Sequence, residues 1–571
     1  MKRLMSLILA LALTLTMMAF PALADDGLDL SSLYKAKDVN DTWSEDAVTV
    51  TLLGSTAQSE DSSVQISGNT VTITKEGDYV LTGNLQGQIV IEATENEKVH
   101  LVLSGVTVDS PSGPAVYEKL SDKLIVTLAE GTVNTLSDST SVQDGEDVIA
   151  AALYAEDDLS INGTGTLIVK GNAGNGIHSK ADLVIADGNL QITAANDGIK
   201  GRNSVLVLAG NLNVQSAGDG IVSTRDDKEG KGYVVIAGGE ITITTGTGAG
   251  ETVKASTRSD RGGMRWDWDN QTGSSGDSSS IKGIKAATEL TVCGGTLNIN
   301  SQDDALHAAK VTVTGGTLNL RTGDDGMHAD TSLTIKGGVT TIDQSYEGLE
   351  SASVSIEGGV TTVVASDDGV NATSSATSTG WSREASDGSI ISISGGELYV
   401  TAGFDGLDSN GSLVISGGTV GLCAAATMGD SYVDTNGSCT VSGGTVIVAT
   451  SGNTRGGMTG LNGASVMAVS ASGNAGSEIQ LLSGDGTLLG SFVPQGGYNT
   501  VLVASSELAS GDMCEVRVGN QTVYTGALNG SSYAGNGTTG NGFFGNPGMG
   551  GNGGMGGGQG GHGGRGGRGG W

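Results

Sequence analysis

The sequence predicts an all-β protein whose main part is a right-handed parallel β-helix, a solenoid of short stacked strands. A three-residue motif recurs about every 21 or 22 residues along the 571-residue chain. In this motif a small residue is followed by an apolar residue and then by a variable residue, as in Gly198-Ile199-Lys200. Between its copies, apolar and polar residues alternate around glycine pairs such as Gly315-Gly316. A fixed period of this size indicates a solenoid, and the alternation indicates strands with one buried face. Right-handedness follows from the usual sense of parallel crossovers.

The N-terminus has the pattern of an export signal. Lys2 and Arg3 precede an apolar run from Leu4 to Phe20, and Ala22-Leu23-Ala24 offers a small-residue cleavage site. We expect residues 1–24 to be a signal peptide and the mature protein to be secreted, in the extracellular space or at the cell surface. A retained membrane anchor is the alternative. No later apolar stretch is long enough to cross a membrane, so we expect no transmembrane anchor after cleavage.

Composition changes along the chain predict five parts. An irregular lead-in covers residues 25–47, and the β-helix covers 48–472 with insertions at about 246–280 and 373–387. A small C-terminal β module follows at 473–528. The Gly-rich segment 529–571 is predicted to be a disordered, flexible tail. We expect a monomer.

Charge and cysteine content narrow the function classes. The net charge is −33 and the pI is about 4.3, which argues against nucleic acid as a partner because its phosphates would be repelled. Cations and sugars remain as candidate ligands, although an acidic polymer would need a metal or a basic patch in order to bind. The four cysteines have no metal-site spacing; Cys293 suits a core position, and whether Cys423 and Cys439 pair across neighbouring rungs is open.

The residue before each Gly-apolar phrase forms a predicted column of acids. Equivalent residues on successive rungs lie roughly 4.8 Å apart. Charges at that distance repel one another, and calcium relieves this because it takes six to eight oxygen ligands. Asp-Gly is also an ordinary turn dipeptide, so each acid alone has a turn role as its alternative. Asp303, Asp324 and Asp367 each place a second acid directly before an acid of this column. We therefore favour at least one bound calcium. The column reads Asn175, Asp197, Asp219, Lys282, Asp304, Asp325, Glu347, Asp368 and Asp405.

A second column is predicted two residues after each glycine. If the intervening apolar residues point inward, this column points outward. Its stacked His307 and His328 suit a transition metal or acid–base chemistry, but exposed polar residues are the simpler interpretation because no third ligand has a recognised spacing. The column reads His178, Lys200, Val222, Lys285, His307, His328, Glu350, Asn371 and Asp408.

Three tryptophans lie in the polar insertions rather than in strands. Trp266, Trp268 and Trp381 are not needed for a core filled by Ile, Leu and Val. An exposed indole offers a flat apolar face and an N–H donor, which suits a pyranose ring. We therefore predict that these three residues contact carbohydrate. Their alternative role is to cover an apolar patch of the solenoid.

The Asp-Asp-Gly-apolar-His rungs, the Gly-Gly-Thr turns, the export signal and the strand Tyr498 to Leu508 resemble a family of secreted clostridial-type carbohydrate-binding proteins. The resemblance covers about residues 50 to 525. It implies a polysaccharide-lyase-like β-helix that associates with calcium and binds cellulose or acidic plant polysaccharides without cleaving them. The calcium ligands that it implies are Asp303, Asp304, Asp324, Asp325, Glu347, Asp367 and Asp368.

Two other functions stay open. A pectate-lyase-like enzyme would need calcium and a basic residue, for which Lys200, Arg202 and Lys285 are candidates, although no lyase signature surrounds them. A surface adhesin or structural stalk would use the solenoid only as a scaffold. We predict no catalytic residues and favour a non-catalytic polysaccharide binder, the function that the resemblance implies.

Overall fold

A computed structural model describes residues 28–145, 147–250, 280–374, 386–424, 432–451, 465–528 and 532–534. Apart from a 3-10 helix at Leu30–Ser32, the regular structure of this part is β-strand. The strands of the first rungs are β1 (Val48–Gly54), β2 (Ala57–Gln58), β3 (Val64–Ser67), β4 (Thr70–Ile73), β5 (Gly77–Leu85), β6 (Gln88–Glu92), β7 (Lys98–Asp109), β8 (Val116–Leu120), β9 (Lys123–Leu128), β10 (Val133–Ser137), β11 (Val142–Asp144), β12 (Asp147–Ile149), β13 (Ala151–Ala155), β14 (Asp158–Gly163) and β15 (Thr166–Gly171).

The regular middle of the chain repeats three strands, or a fused pair and one strand, in each rung. These strands are β16 (Asn175–Ser179), β17 (Asp182–Ile185), β18 (Asn189–Ala194), β19 (Ile199–Gly201), β20 (Ser204–Val207), β21 (Asn211–Ser216), β22 (Ile221–Ser223), β23 (Tyr233–Ile236), β24 (Glu240–Thr245), β25 (Ile284–Val292), β26 (Thr296–Ser301), β27 (Leu306–Val313), β28 (Thr317–Thr322), β29 (Met327–Ile335), β30 (Val339–Ser345), β31 (Leu349–Ser351), β32 (Ser353–Ile356), β33 (Val360–Ala365) and β34 (Val370–Ala372).

The last rungs lead into a C-terminal β module. Their strands are β35 (Ile390–Ile393), β36 (Glu397–Ala402), β37 (Leu407–Ser409), β38 (Ser412–Ala424), β39 (Val433–Thr435), β40 (Cys439–Thr450), β41 (Ser465–Gly473), β42 (Ile479–Ser483), β43 (Leu488–Phe492), β44 (Tyr498–Ser505), β45 (Met513–Val518), β46 (Gln521–Ala527) and β47 (Ser532–Ala534).

These strands stack into three parallel ladders, which confirms the predicted parallel β-helix. The first ladder runs β6-β8-β13-β16-β19-β22-β25-β27-β29-β31-β34-β37-β39. The second runs β7-β9-β14-β17-β20-β23-β25-β27-β29-β32-β35-β38-β40, and the third runs β7-β10-β15-β18-β21-β24-β26-β28-β30-β33-β36-β38-β40. Strands such as β27 serve two ladders because the chain bends within them, with a register shift between Ala308 and Lys310.

The predicted inward column of the first ladder is confirmed. Its members are register partners on successive rungs, and their side chains are fully buried in one continuous core. The neighbouring residues of each strand point to the opposite face of the sheet. The column consists of Ile199, Ile221, Leu306, Met327, Leu349, Val370 and Leu407, with Ile284 between Ile221 and Leu306.

The repeated glycines have two separate structural reasons. The second glycine of each pair turns the chain with positive φ, as at Gly316 with φ 93°, a conformation that glycine adopts without steric cost. The glycine of the Gly-apolar phrase instead lies against the next rung. A Cβ on Gly348 would collide with the side chain of Val363 and the carbonyl of Gly369. Close stacking therefore requires glycine there.

Other segments pack on the side of the described β-helix and at its C-terminal end. In the lead-in, Leu30, Leu33 and Tyr34 pack on an outward apolar patch of the second ladder, and Asp38 forms a buried ion pair with Lys123 at 2.5 Å. At the C-terminal end, β44 pairs antiparallel with β40 and β41, while β43-β42-β45-β46 form a separate antiparallel sheet. The stacking of parallel rungs therefore ends at β40.

The four cysteines are all described and buried, and they form no disulfide. Cys423 lies opposite Ala449, whereas Cys439 lies opposite Leu413, so these two cysteines do not face each other. Within the described ranges, the chain has no helix with the length and apolarity of a membrane span. The predicted signal peptide and the Gly-rich tail lie outside the described residues, apart from β47.

Candidate metal centre on the first ladder

The outward column of the first ladder is in continuous register. Lys285 pairs with His307, His307 with His328, and His328 with Glu350. Glu350 then pairs with Asn371, and Asn371 with Asp408. The column changes character along its length, from aromatic and basic residues at the N-terminal end to acids at the C-terminal end. At the N-terminal end, Tyr117 and Tyr154 are buried beneath the β11–β12 hairpin.

The acids before each glycine have a structural role through one of their two oxygens. Asp304 Oδ1 accepts a hydrogen bond from the backbone N–H of Asp325 at 3.1 Å, and Asp368 Oδ1 accepts one from Asp405 at 2.8 Å. Asp197 makes the same bond to Asp219 at 3.1 Å. These bonds tie neighbouring rungs together, as the turn interpretation requires. The second oxygen of Asp304 contacts Lys282 and His307, and the second oxygen of Asp197 contacts Lys200.

Lys282 interrupts the acidic column with a positive charge. Its Nζ lies 2.9 Å from both Asp303 Oδ2 and Asp304 Oδ2. Burial alone would raise the pKa of Asp304, but Lys282 and His307 hold it well below its usual range. The pKa of Lys282 is raised above its ordinary value because these two carboxylates outweigh burial. The N-terminal end of the acid cluster is thus neutralised by the protein itself.

Two histidines and three carboxylates meet in the middle of the column. His307 Nδ1 lies 2.9 Å from Asp304 Oδ2, and His328 Nδ1 lies 3.3 Å from Asp325 Oδ2 and 3.4 Å from Glu350 Oε2. Burial would lower the pKa of His328, but Asp325, Glu350 and Asp304 raise it to about 10. Burial and Asp325 raise the pKa of Glu350 to about 8.

The C-terminal rungs hold a cluster with oxygen ligands only. One carboxylate oxygen each of Asp368, Asp405 and Asp408 lie within 4.8 Å of one another. Burial, followed by Asp408 and Asp405, raises the pKa of Asp368 well above its usual range. Glu347, one rung below, also has a strongly raised pKa because of burial and neighbouring acids, and its Oε2 accepts a hydrogen bond from Asn371 at 3.0 Å. This end of the column concentrates carboxyl groups whose ionisation is disfavoured by burial and by their neighbours.

The seven acids predicted as calcium ligands therefore fall into different environments. Asp303, Asp304 and Asp324 form one cluster, which Lys282 enters. Asp325 joins His328 and Glu350, while Asp368 joins Asp405 and Asp408. Glu347 lies between these groups, and Asp367 acts on Asp368 through its charge.

Sequence reasoning assigned no ligand role to Glu350, Asp405 and Asp408, although all three belong to the two predicted columns. The signal was present in the register: Asp408 is two residues after Gly406, and Asp405 is the residue before it. It also missed that Asp304 supplies the third ligand that the His307–His328 pair lacked. Trp266, Trp268 and Trp381 lie outside the described residues.

A cleft of about 580 Å³ on the N-terminal rungs carries a described tryptophan. Trp43 is 41% exposed and lines this cleft with Lys37, Lys98 and His100. His100 is fixed by Asp78 on one ring nitrogen at 3.0 Å and by Thr127 on the other at 2.7 Å. The cleft thus combines an exposed indole with a histidine that is fixed at both ring nitrogens.

Comparison with known proteins identifies the family. The sequence model of a family described as carbohydrate-binding domain-containing protein matches residues 67–326 and 326–485. The chain belongs to this carbohydrate-binding family. The two matches span the first ladder, including both histidines and the acid clusters.

The chain is similar to a curated protein and to a solved structure. A carbohydrate-binding domain-containing protein of Acetivibrio thermocellus is 34% identical over 135 residues, which are 23% of this chain and 47% of that protein. This chain thus spans about half the length of the curated relative that it matches. A solved structure described as a polysaccharide lyase-like protein from C. thermocellum, a gadolinium derivative, has 25% sequence identity and a TM-score of 0.37, over 51% of this chain and 96% of that chain.

Proposed function

We propose that this member of the carbohydrate-binding family is a secreted, calcium-associated and non-catalytic polysaccharide-binding protein. The observation that carries the proposal is the oxygen-only cluster that buried Asp368 and Asp405 form with half-buried Asp408 on the C-terminal rungs of the β-helix. The proposed ligand is a plant or cell-wall polysaccharide, either cellulose or an acidic polymer. Export by the signal peptide would bring the protein to such a polymer.

The donor set of this cluster fits calcium. Calcium takes only oxygen ligands and accepts carboxylates from adjacent chain segments together with carbonyls and water. Asp368, Asp405 and Asp408 supply these carboxylates, and Glu347 adds another acid whose proton affinity is raised. By contrast, Asp303 and Asp304 already bind Lys282. We therefore assign calcium to the C-terminal rungs, where Asp368 of the predicted ligand set meets Asp405 and Asp408.

Calcium would also reconcile the charge of the protein with an acidic polymer. The chain carries a net charge of −33, so a polyuronate would be repelled without a bridging cation. A metal ion with coordination positions left for water or ligand links carboxylates of protein and sugar. Neutral cellulose requires no such bridge. It would instead lie against aromatic faces, for which we propose Trp43 in its cleft, together with Trp266, Trp268 and Trp381.

A polyuronate lyase is the enzymatic alternative. The two groups that it requires, a calcium ion and a basic residue, would lie far apart on this β-helix. The base would have to lie near the calcium, but Lys285 is five register steps from Asp408, about 24 Å at the spacing of hydrogen-bonded strands. Lys200 lies still further away and binds Asp197 at 3.1 Å. A non-catalytic role agrees better with this separation.

The proposal is tested by binding to washed insoluble polysaccharides. Mature protein is incubated with cellulose and with calcium-free polygalacturonate gel, in millimolar calcium and in chelator, and the bound fraction is measured. We expect calcium-dependent retention on the acidic polymer, lost in Asp368→Asn with Asp408→Asn. Retention on neither polymer would favour a stalk, and release of unsaturated uronates would favour a lyase.

A further inference from the structure

Two imidazoles lie side by side in the middle of the outward column. His307 and His328 are register partners whose ring centroids are 4.8 Å apart. Ligand atoms of Asp304, His307 and His328 all lie within 4.8 Å of one another, and so do those of Asp325, His328 and Glu350. His328 is shared by the two triads, so the five side chains converge on one small volume.

We propose that His307 and His328, with Asp325, Glu350 and Asp304, form a site for a divalent transition metal of the zinc class. Imidazole nitrogen suits zinc, cobalt, nickel and copper, whereas calcium takes oxygen ligands. Zinc–ligand bonds are about 2.0–2.2 Å long, so tetrahedral ligands of one ion are separated by about 3.3–3.6 Å. The imidazole–carboxylate separations of 2.9, 3.3, 3.4 and 4.0 Å lie on both sides of that range.

The local charge and burial favour a cation at this point. Asp304 and Asp325 are buried, with side chains 4% and 8% exposed, whereas His307 and His328 are 19% and 29% exposed. An ion can therefore enter from solvent, past the imidazoles, onto carboxylates that the fold holds in place. Asp304 Oδ2 also accepts a hydrogen bond from Lys282. Asp325 and Glu350 are for this reason the stronger carboxylate ligands.

This site is chemically distinct from the proposed calcium cluster. Three register steps separate His328 from Asp408, which is about 14 Å. Two ions at that distance need no common ligand. The column would then carry a mixed nitrogen–oxygen site and an oxygen-only site, with different metal preferences. The inference does not depend on carbohydrate binding.

The test uses the mature chain without a polyhistidine tag, after metal removal. Zn²⁺ and Co²⁺ binding are measured by calorimetry and by cobalt absorption, in the presence of excess Ca²⁺. The site variant is His307→Ala with His328→Ala. The matched control is His178→Ala, which removes an imidazole from the same column where the register neighbours are Tyr154 and Lys200.

We expect tight binding of one zinc ion that calcium does not displace. Loss of both imidazoles should weaken it roughly 100-fold or more, since even outer partners of metal ligands contribute 10–100-fold. The control should bind as the wild type does. Zinc should also protect His307 of the wild-type chain from diethyl pyrocarbonate, a readout that does not need the variant to fold. Equal zinc affinity in site variant and wild type, displacement by calcium, or no protection would overturn the proposal.

Discussion

Lys282 and Asp304 occupy equivalent positions on neighbouring rungs of the first ladder, and Lys282 Nζ lies 2.9 Å from Asp304 Oδ2. A column that otherwise consists almost entirely of acids thus contains one built-in cation. Both side chains are largely buried, at 10% and 4% exposure. The charge of Asp303 and Asp304 is therefore balanced within the protein.

Replacing this lysine should be costly. We expect Lys282→Met to lower the free energy of unfolding by about 3–5 kcal/mol, because removing one partner of a buried ion pair leaves the other charge uncompensated. Urea unfolding in chelator measures the change. Lys310→Met is the matched control, since Lys310 pairs with Glu289 at the exposed surface and should cost about 1 kcal/mol or less. Equal losses in the two variants would show that the buried Lys282 pair contributes no more to the free energy of unfolding than the exposed Lys310 pair.

The stacking glycines predict a second contrast. Gly348→Ala places a Cβ against Val363 and the carbonyl of Gly369, so rungs must separate. We expect a loss of about 1–3 kcal/mol in the free energy of unfolding, as for other overpacked sites. Gly497→Ala, whose Cβ would meet its nearest atom at 3.8 Å, should change it by less than about 0.5 kcal/mol. Gly348→Ala with wild-type stability would contradict the stacking geometry.

The sequence predicted the β-helix well because its period is visible in residues that pack or turn. Ile199 and Leu306, or Gly315 and Gly316, repeat at positions where few other residues fit. Side-chain partnership was harder to predict. The contact of Asp304 with both Lys282 and His307 depends on which oxygen already binds the next backbone N–H. The aligned repeats of the sequence do not specify the orientation of these side chains.

The same limit applies to features that are not periodic. The lead-in predicted to be irregular carries Trp43, whose place beside Lys98 and His100 follows from the lead-in packing across several rungs. Nothing in the spacing of these residues brings them together. Likewise, the position of Cys423 opposite Ala449 rather than Cys439 follows from a long fused strand, β38, whose register the repeat alone does not define.

Burial of Glu118 predicts a pH dependence of stability far from the metal column. Its side chain is fully buried, and burial raises its pKa to about 7 from an ordinary value of 4.5. The folded state therefore binds this proton more tightly than the unfolded state, so the free energy of unfolding falls as pH rises from about 4.5 to about 7. Glu118→Gln should remove this loss and keep the acceptor for Asp157 N–H.

Thermal unfolding of both proteins at pH 4.5 and pH 8 checks this. At pH 8 the variant should be more stable than the wild type by up to about 3 kcal/mol, at 1.36 kcal/mol per pKa unit. The difference should be small at pH 4.5. A variant that is less stable at pH 8 would show that the ionised carboxylate is favourable in its site.

The tryptophans predict sugar contact that is separable from folding. We expect Trp266→Ala with Trp268→Ala to weaken polysaccharide binding and leave the thermal midpoint nearly unchanged, because an exposed indole stacks on sugar rather than on the core. Trp43→Ala should act likewise through the N-terminal cleft. Affinity electrophoresis and thermal unfolding of the same samples measure both effects. Lower stability with intact binding per folded molecule would make these side chains structural covers.

The calcium dependence of thermal unfolding tests the central claim most directly. Calcium that binds only the folded protein raises its stability by mass action, about 2.7 kcal/mol at a hundredfold excess over Kd. We predict a higher midpoint in millimolar calcium than in chelator for the wild type and for His307→Ala with His328→Ala, and no such increase for Asp368→Asn with Asp408→Asn. Identical wild-type midpoints in calcium and chelator would contradict the account and leave the acids as turn residues.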